Sequence, residues 1–104
     1  MRTAGGIKAI KGSGNVFVDL GHTPAEAANL RLRSQMMTAL RKFIERHQLT
    51  QVEAAKLLKV TQPRISDLMR GRLSRFTLDA LVKMLVEAGL EVDLRIKPPS
   101  RRAA

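Results

Sequence analysis

Between Thr61 and Arg75 the chain gathers side chains suited to recognition: Thr61, Gln62, Arg64, Ser66, Asp67, Arg70, Arg72 and Arg75, with Pro63 among them. What they offer is hydrogen bonding and positive charge, not bond-making. No nucleophile, base and orienter fall at a recognisable spacing, and there is no Gly-rich phosphate loop. Glu26, Glu45, Glu53, Glu87 and Glu91 are scattered among helix surfaces. There is no Cys, so neither a disulfide framework nor a thiolate metal site is possible. With only His22 and His47, a His-rich metal site is not expected either. The residues therefore predict no enzyme, no metal and no cofactor.

The charge says what kind of recognition to expect. The chain has 104 residues, 19 Lys plus Arg against 9 Asp plus Glu, and a net charge of +10. Such an excess repels itself in a compact state, and an anionic partner relieves it: nucleic acid, an anionic membrane or an acidic protein. Residues 31–60 hold the largest share, net +5, so the charge lies within the helical patterns rather than on a tail. No apolar run approaches 18 residues, so no membrane span is expected. The first residues lead into no apolar signal core, which predicts a cytoplasmic protein. Phe17, Phe43 and Phe76 are the only aromatics besides the two His, too few for the stacking platforms of single-strand binders.

The length predicts one domain with a small core. Residues 1–14 contain four Gly and read as a flexible segment, 15–97 as the folded domain, and 98–104 as a basic tail after Pro98-Pro99. Asn15–Leu20 reads as a short strand with Val16, Val18 and Leu20 on one face. Thr23, Pro24 and Glu26 then form a capping box that opens a helix running to about His47, with Met36, Leu40, Phe43, Ile44 and His47 on one face and a break possible near Ser34. Arg33, Arg41, Lys42 and Arg46 read as its solvated side. Thr50 and Glu53 make a second capping box, followed by an apolar face of Ala54, Ala55, Leu57 and Leu58. Thr61 caps a third helix, marked by Ile65, Leu68 and Met69 and stopped by Gly71. Thr77 caps another, with Leu78, Leu81, Val82, Leu85 and Val86 as its stripe and Gly89 as its end. Glu91–Lys97 alternates strictly, so Val92, Leu94 and Ile96 predict a half-buried strand.

Residues 51–70 thus form two short capped helices joined by a turn of about three residues, a helix-turn-helix. Steeply crossing helices need a small residue at the contact, and Ala55 is there. Ala54, Leu58, Val60, Ile65 and Leu68 are spaced to pin the second helix onto the first, leaving Gln62, Arg64, Ser66 and Asp67 to face outward.

With these residues in place, Leu49-Thr50-Gln51 to Val60-Thr61, Ile65-Ser66-Asp67-Leu68 and Arg70-Gly71-Arg72 resemble the lambda-repressor-like Cro/cI (XRE) family of DNA-binding proteins, over about residues 35–88. One departure is Lys59, where the family often has Gly. A Lys there either adopts a left-handed conformation at some cost or alters the turn. The layout, with Gly14–Gly21 and Gly71–Phe76, is also similar to antitoxins of the host-inhibition-of-growth type. The fold expected is mainly α: a lambda-repressor-like bundle of four or five helices with a short β-strand near each end.

The resemblance implies roles by position. Gln51 would hold a phosphate at a helix N-terminus. Gln62, Pro63, Arg64, Ser66 and Asp67 would line the major groove, where Gln can read adenine, Arg guanine, and Pro63 touch a thymine methyl. Asp67 would accept from cytosine, or instead orient Arg64 or Arg70. Thr61, Arg70, Arg72 and Arg75 would lie along the backbone and set register. Plainer roles compete: Gln62 as a second cap, Arg64 as a solvated or intrahelically paired Arg, and Arg70, Arg72 and Arg75 as a basic surface.

The partners this implies are double-stranded DNA, a second copy of the chain, and, if the antitoxin likeness holds, a small ribonuclease toxin. The two end strands are expected to pair and to be extended or covered in a homodimer, or else to pack only within the monomer. A stand-alone or phage-type regulator and a protein-interaction module without DNA binding are the competing functions.

Overall fold

The structure, a computed structural model, describes residues 21–99. In chain order it has α1 (Pro24–Arg46), α2 (Gln51–Leu58), α3 (Gln62–Met69), a 3-10 turn (Leu73–Arg75) and α4 (Leu78–Glu87). The chain is mainly α, as the patterning predicts.

Each helix begins where its cap demands. The Thr23 hydroxyl accepts from the Glu26 N–H at 3.1 Å, and the Thr23 N–H donates to Glu26 Oε1 at 2.9 Å. Thr50 and Glu53 repeat this box at 3.1 and 2.8 Å. Thr77 caps α4 through the Ala80 N–H at 3.1 Å. Each such bond satisfies a donor that the first helical turn leaves without a partner. No break interrupts α1, which runs for 23 residues.

α1 packs against α4, α2 against α3, and the 3-10 turn against α1. The core between them is made of Met37, Leu40 and Ile44 from α1, Ala54, Ala55 and Leu58 from α2, Ile65 and Leu68 from α3, Phe76 from the loop, and Leu81, Met84 and Leu85 from α4. No polar or charged residue is buried among the described residues. Three stripes differ from their sequence expectation: in α2 the buried residues are Ala54, Ala55 and Leu58, and Leu57 is 43% exposed. In α1 the buried line is Met37–Leu40–Ile44, with Met36 and Phe43 on its edges and His47 exposed, its ring 4.5 Å from that of Phe43. In α4 Met84 is buried and Val86 is 59% exposed. These shifts follow from which neighbour lies opposite, which periodicity along one helix does not encode.

The expected strand over Glu91–Lys97 has no regular secondary structure among the described residues, and Val92, Leu94 and Ile96 are exposed. A strand takes its hydrogen bonds from a neighbour, so alternation alone does not build one. Its expected partner at 15–20, the flexible segment 1–14, and most of the basic tail lie outside the described residues.

Candidate nucleic-acid interface

The surface of interest is built around α3. Ile65 and Leu68 are buried against the core, which fixes the helix about its axis. Pro63, Ser66 and Arg70 then line the side away from the core, at spacings of three and four that place them in one row. Gln62, Pro63 and Arg70 are exposed and Ser66 is half-buried. Gln62 and Pro63 occupy the first turn. Thr61 is the N-cap; its hydroxyl accepts from the Arg64 N–H at 3.4 Å, the longest of the four threonine caps. Gln51 is exposed in the first turn of α2.

The turn joining α2 to α3 is closed by Lys59 in the left-handed conformation, φ 60 and ψ 44, with the Val60 N–H donating to the Ala55 carbonyl at 3.0 Å. Of the two alternatives for this position, the chain takes the strained backbone and keeps the turn. The Lys59 ammonium lies 3.4 Å from the Glu87 carboxylate on α4.

Two of the expected base readers point elsewhere. The Arg64 guanidinium donates to the Arg75 carbonyl at 2.6 Å and lies 4.5 Å from the centre of the Phe76 ring. Arg64 sits on the flank of α3, between the buried line and the outward row, and Phe76 is fixed in the core beside it. A guanidinium stacks well on such a face while keeping donors free for a carbonyl. Asp67, with a side chain only 16% exposed, faces Arg75 Nη1 at 3.4 Å and Arg72 Nε at 3.8 Å. It therefore orients arginines, though not the two that the sequence suggested.

Arg72 and Arg75 are exposed and stand beside α3 through these ion pairs. The loop that carries them begins at Gly71, whose φ of +71 suits Gly and whose absent Cβ would lie 3.1 Å from Arg41 Nη1. It is held from α1 as well. Arg33 donates to the carbonyls of Leu73 at 2.8 Å and Phe76 at 3.2 Å, and through Nε to Asn29 Oδ1 at 2.6 Å. Their spacing predicts a solvated helix face for Arg33 and Arg41; both instead meet the loop after α3. The Asn29–Arg33 spacing of four was readable in the sequence, but the contacts 40 and 43 residues away carry no local signal.

The site therefore unites the outward row of α3 with Arg72 and Arg75, while Gln51 and Thr61 stand at the N-terminal ends of α2 and α3. It can form hydrogen bonds and place cations along an anionic surface. Among the described residues, no three His, Cys, Asp or Glu side chains come together to hold a metal ion. No helix there is long and apolar enough to cross a membrane.

This geometry has known counterparts. A family model described as a helix-turn-helix domain matches residues 16–97, most of the chain. A solved structure described as a candidate XRE-family transcriptional regulator superposes with a TM-score of 0.69 at 28% sequence identity, over 76% of this chain and 89% of that one. No curated protein matches at comparable stringency.

Proposed function

The chain belongs to the helix-turn-helix domain family, of the XRE-like kind, and is a DNA-binding transcriptional regulator; from that premise we propose that it is a sequence-specific repressor. It binds double-stranded DNA as a homodimer and acts by occluding a promoter. One observation carries this reading: Arg72 and Arg75 are tied by Asp67 to the helix whose outward row is polar. Cations beside a polar helix face are what phosphate contact beside a major groove requires. In this reading Gln62, Pro63 and Ser66 meet base edges, and Gln51, Thr61, Arg70, Arg72 and Arg75 meet the backbone.

One helix of this size reads only a few base pairs. A dimer reading two half-sites one helical turn apart, about 34–36 Å, would supply the missing specificity. The test is selection of bound duplexes from a random pool. A palindromic winner, bound with an affinity that falls steeply with salt, is the expected result. No duplex binding at low salt would overturn DNA recognition and leave a protein-interaction module. Sedimentation at micromolar concentration tests the dimer, and a pure monomer rejects it.

The finer reading is an antitoxin that represses its own promoter. It is supported by the likeness of Gly14–Gly21 and Gly71–Phe76, and of the overall layout, to antitoxins of the host-inhibition-of-growth type. A small ribonuclease gene beside this one, whose product binds the chain, is the expected observation. Its absence favours a stand-alone regulator.

A further inference from the structure

We propose that Arg33 and Arg64 are positioning residues that grip the loop at 72–76 and set where Arg72 and Arg75 meet the DNA backbone, an inference that rests on the DNA-binding reading above. The Phe76 side chain and Leu73 anchor the loop to the core, and the Arg72 N–H donates to the Asp67 carbonyl at 3.1 Å, but the loop's backbone makes few other bonds of its own. Its 3-10 turn contributes the Arg75 N–H to the Arg72 carbonyl at 3.1 Å and the Phe76 N–H to the Leu73 carbonyl at 3.2 Å. Such short turns have poor hydrogen-bond geometry.

Two guanidinium groups from different helices supply the rest. Arg33 of α1 takes the carbonyls of Leu73 and Phe76, and Arg64 of α3 takes the carbonyl of Arg75. Three of the last four residues of the loop are therefore held by their backbone oxygens. Arg33 is itself braced by Asn29, and Arg64 by the buried Phe76 ring. The planar fork of a guanidinium lets Arg33 serve three acceptors at once, which an ammonium on a flexible stem does less well. With the backbone fixed, Asp67 aims the two exposed side chains.

The choice of residues points to an anion as well as to a shape. Neutral donors could have satisfied these carbonyls. Instead Arg33, Arg64, Arg72 and Arg75 gather around one loop, and the one carboxylate beside them, Asp67, faces only Arg72 and Arg75, a local surplus of three positive charges. Like charges so placed repel, and a phosphate backbone relieves that repulsion. For Arg64 this means acting on phosphate contacts through the loop, not on a base.

The experiment uses the full chain and the variants Arg33→Lys and Arg64→Lys, which keep the charge and lose the fork. Affinity for the selected duplex and for a scrambled one is measured across a salt series, with circular dichroism confirming the fold. Each variant is expected to weaken both duplexes by a similar factor and to make the negative slope of log affinity against log salt shallower by about one, the loss of one phosphate contact. Arg72→Ala gives the same pattern and serves as the reference. If Arg64→Lys weakens only the selected duplex and leaves the salt slope unchanged, Arg64 is a base reader and the proposal fails. If neither variant changes either slope, the grip is purely structural and the proposal also fails. Arg64 is on the surface side of a capped helix, so its variant keeps the test open if Arg33→Lys unfolds. A wild-type chain that binds no duplex overturns the DNA-binding reading, and this inference with it.

Discussion

The guanidinium of Arg64 lies 4.5 Å from the centre of the Phe76 ring, so the helix expected to read DNA is fastened to the loop that follows it. Phe76 is 2% exposed and belongs to the main core. The same side chain thus fills the interior and supports a surface cation.

Phe76→Ala should cost about 3–5 kcal/mol, since it empties a core position that its neighbours can only partly refill. Phe76→Leu keeps an apolar group there and loses the ring face; the cation–π contribution it removes is about 0.5–1 kcal/mol. Urea unfolding of Phe76→Leu in the wild-type and Arg64→Gln backgrounds measures this directly. If the two mutations add, the ring and the guanidinium do not stabilise each other.

Lys59→Gly should stabilise the domain by about 0.5–1 kcal/mol. Lys59 holds φ at 60, a conformation costly for any residue with a Cβ, and Gly removes that cost at some loss of chain entropy. The Lys59–Glu87 pair sacrificed is exposed and contributes about 0–1 kcal/mol. The urea midpoint should rise with an unchanged slope. A fall would mean that the ion pair outweighs the backbone strain.

Asp67→Asn should tighten binding to any duplex and reduce discrimination between them. The change removes the carboxylate that faces Arg72 and Arg75, leaving both cations to the phosphates without the geometry it imposes. Binding to a scrambled duplex should strengthen more than binding to the selected one. Weakening confined to the selected duplex would place Asp67 in base recognition instead.

The start of α1 should respond to acid. The Glu26 carboxyl is held below its ordinary value of 4.5, chiefly by the Thr23 N–H that donates to it, with the Thr23 hydroxyl and His22 acting in the same direction. Because the folded value is depressed, the cap contributes fully above the ordinary value and is lost as pH falls through the lower one. The amide resonance of Thr23 should therefore shift below pH 4.5 in the wild type and stay flat in Glu26→Gln. A flat wild-type titration would show that the carboxylate does not hold the cap.

Much of this was legible because it is local. Thr23, Thr50, Thr61 and Thr77 each mark a helix start that the structure reproduces, since a cap is a bond between residues three apart. Of the residues whose spacing predicts an interior place in the helix-turn-helix, Ala54, Ala55, Leu58, Ile65 and Leu68 are buried, Val60 is half-buried and Leu57 is exposed. The strand pattern at 91–97 shows the opposite case. Alternation there is a real sequence signal, but a strand depends on a partner that the pattern cannot supply.

The sequence by itself determined the helix-turn-helix: its caps, its two short amphipathic helices, and Lys59 as the place where the turn departs from the usual Gly. These depend on interactions within about four residues, where residue type and spacing suffice. Only the tertiary structure decided what the arginines do. Arg64 turns to the Arg75 carbonyl and the Phe76 ring, Asp67 collects Arg72 and Arg75, and Arg33 reaches across 40 residues to the Leu73 carbonyl. A long, flexible, charged side chain carries no periodic signature. Its partner is whichever acceptor the folded backbone brings within reach, and that is settled only when distant segments meet.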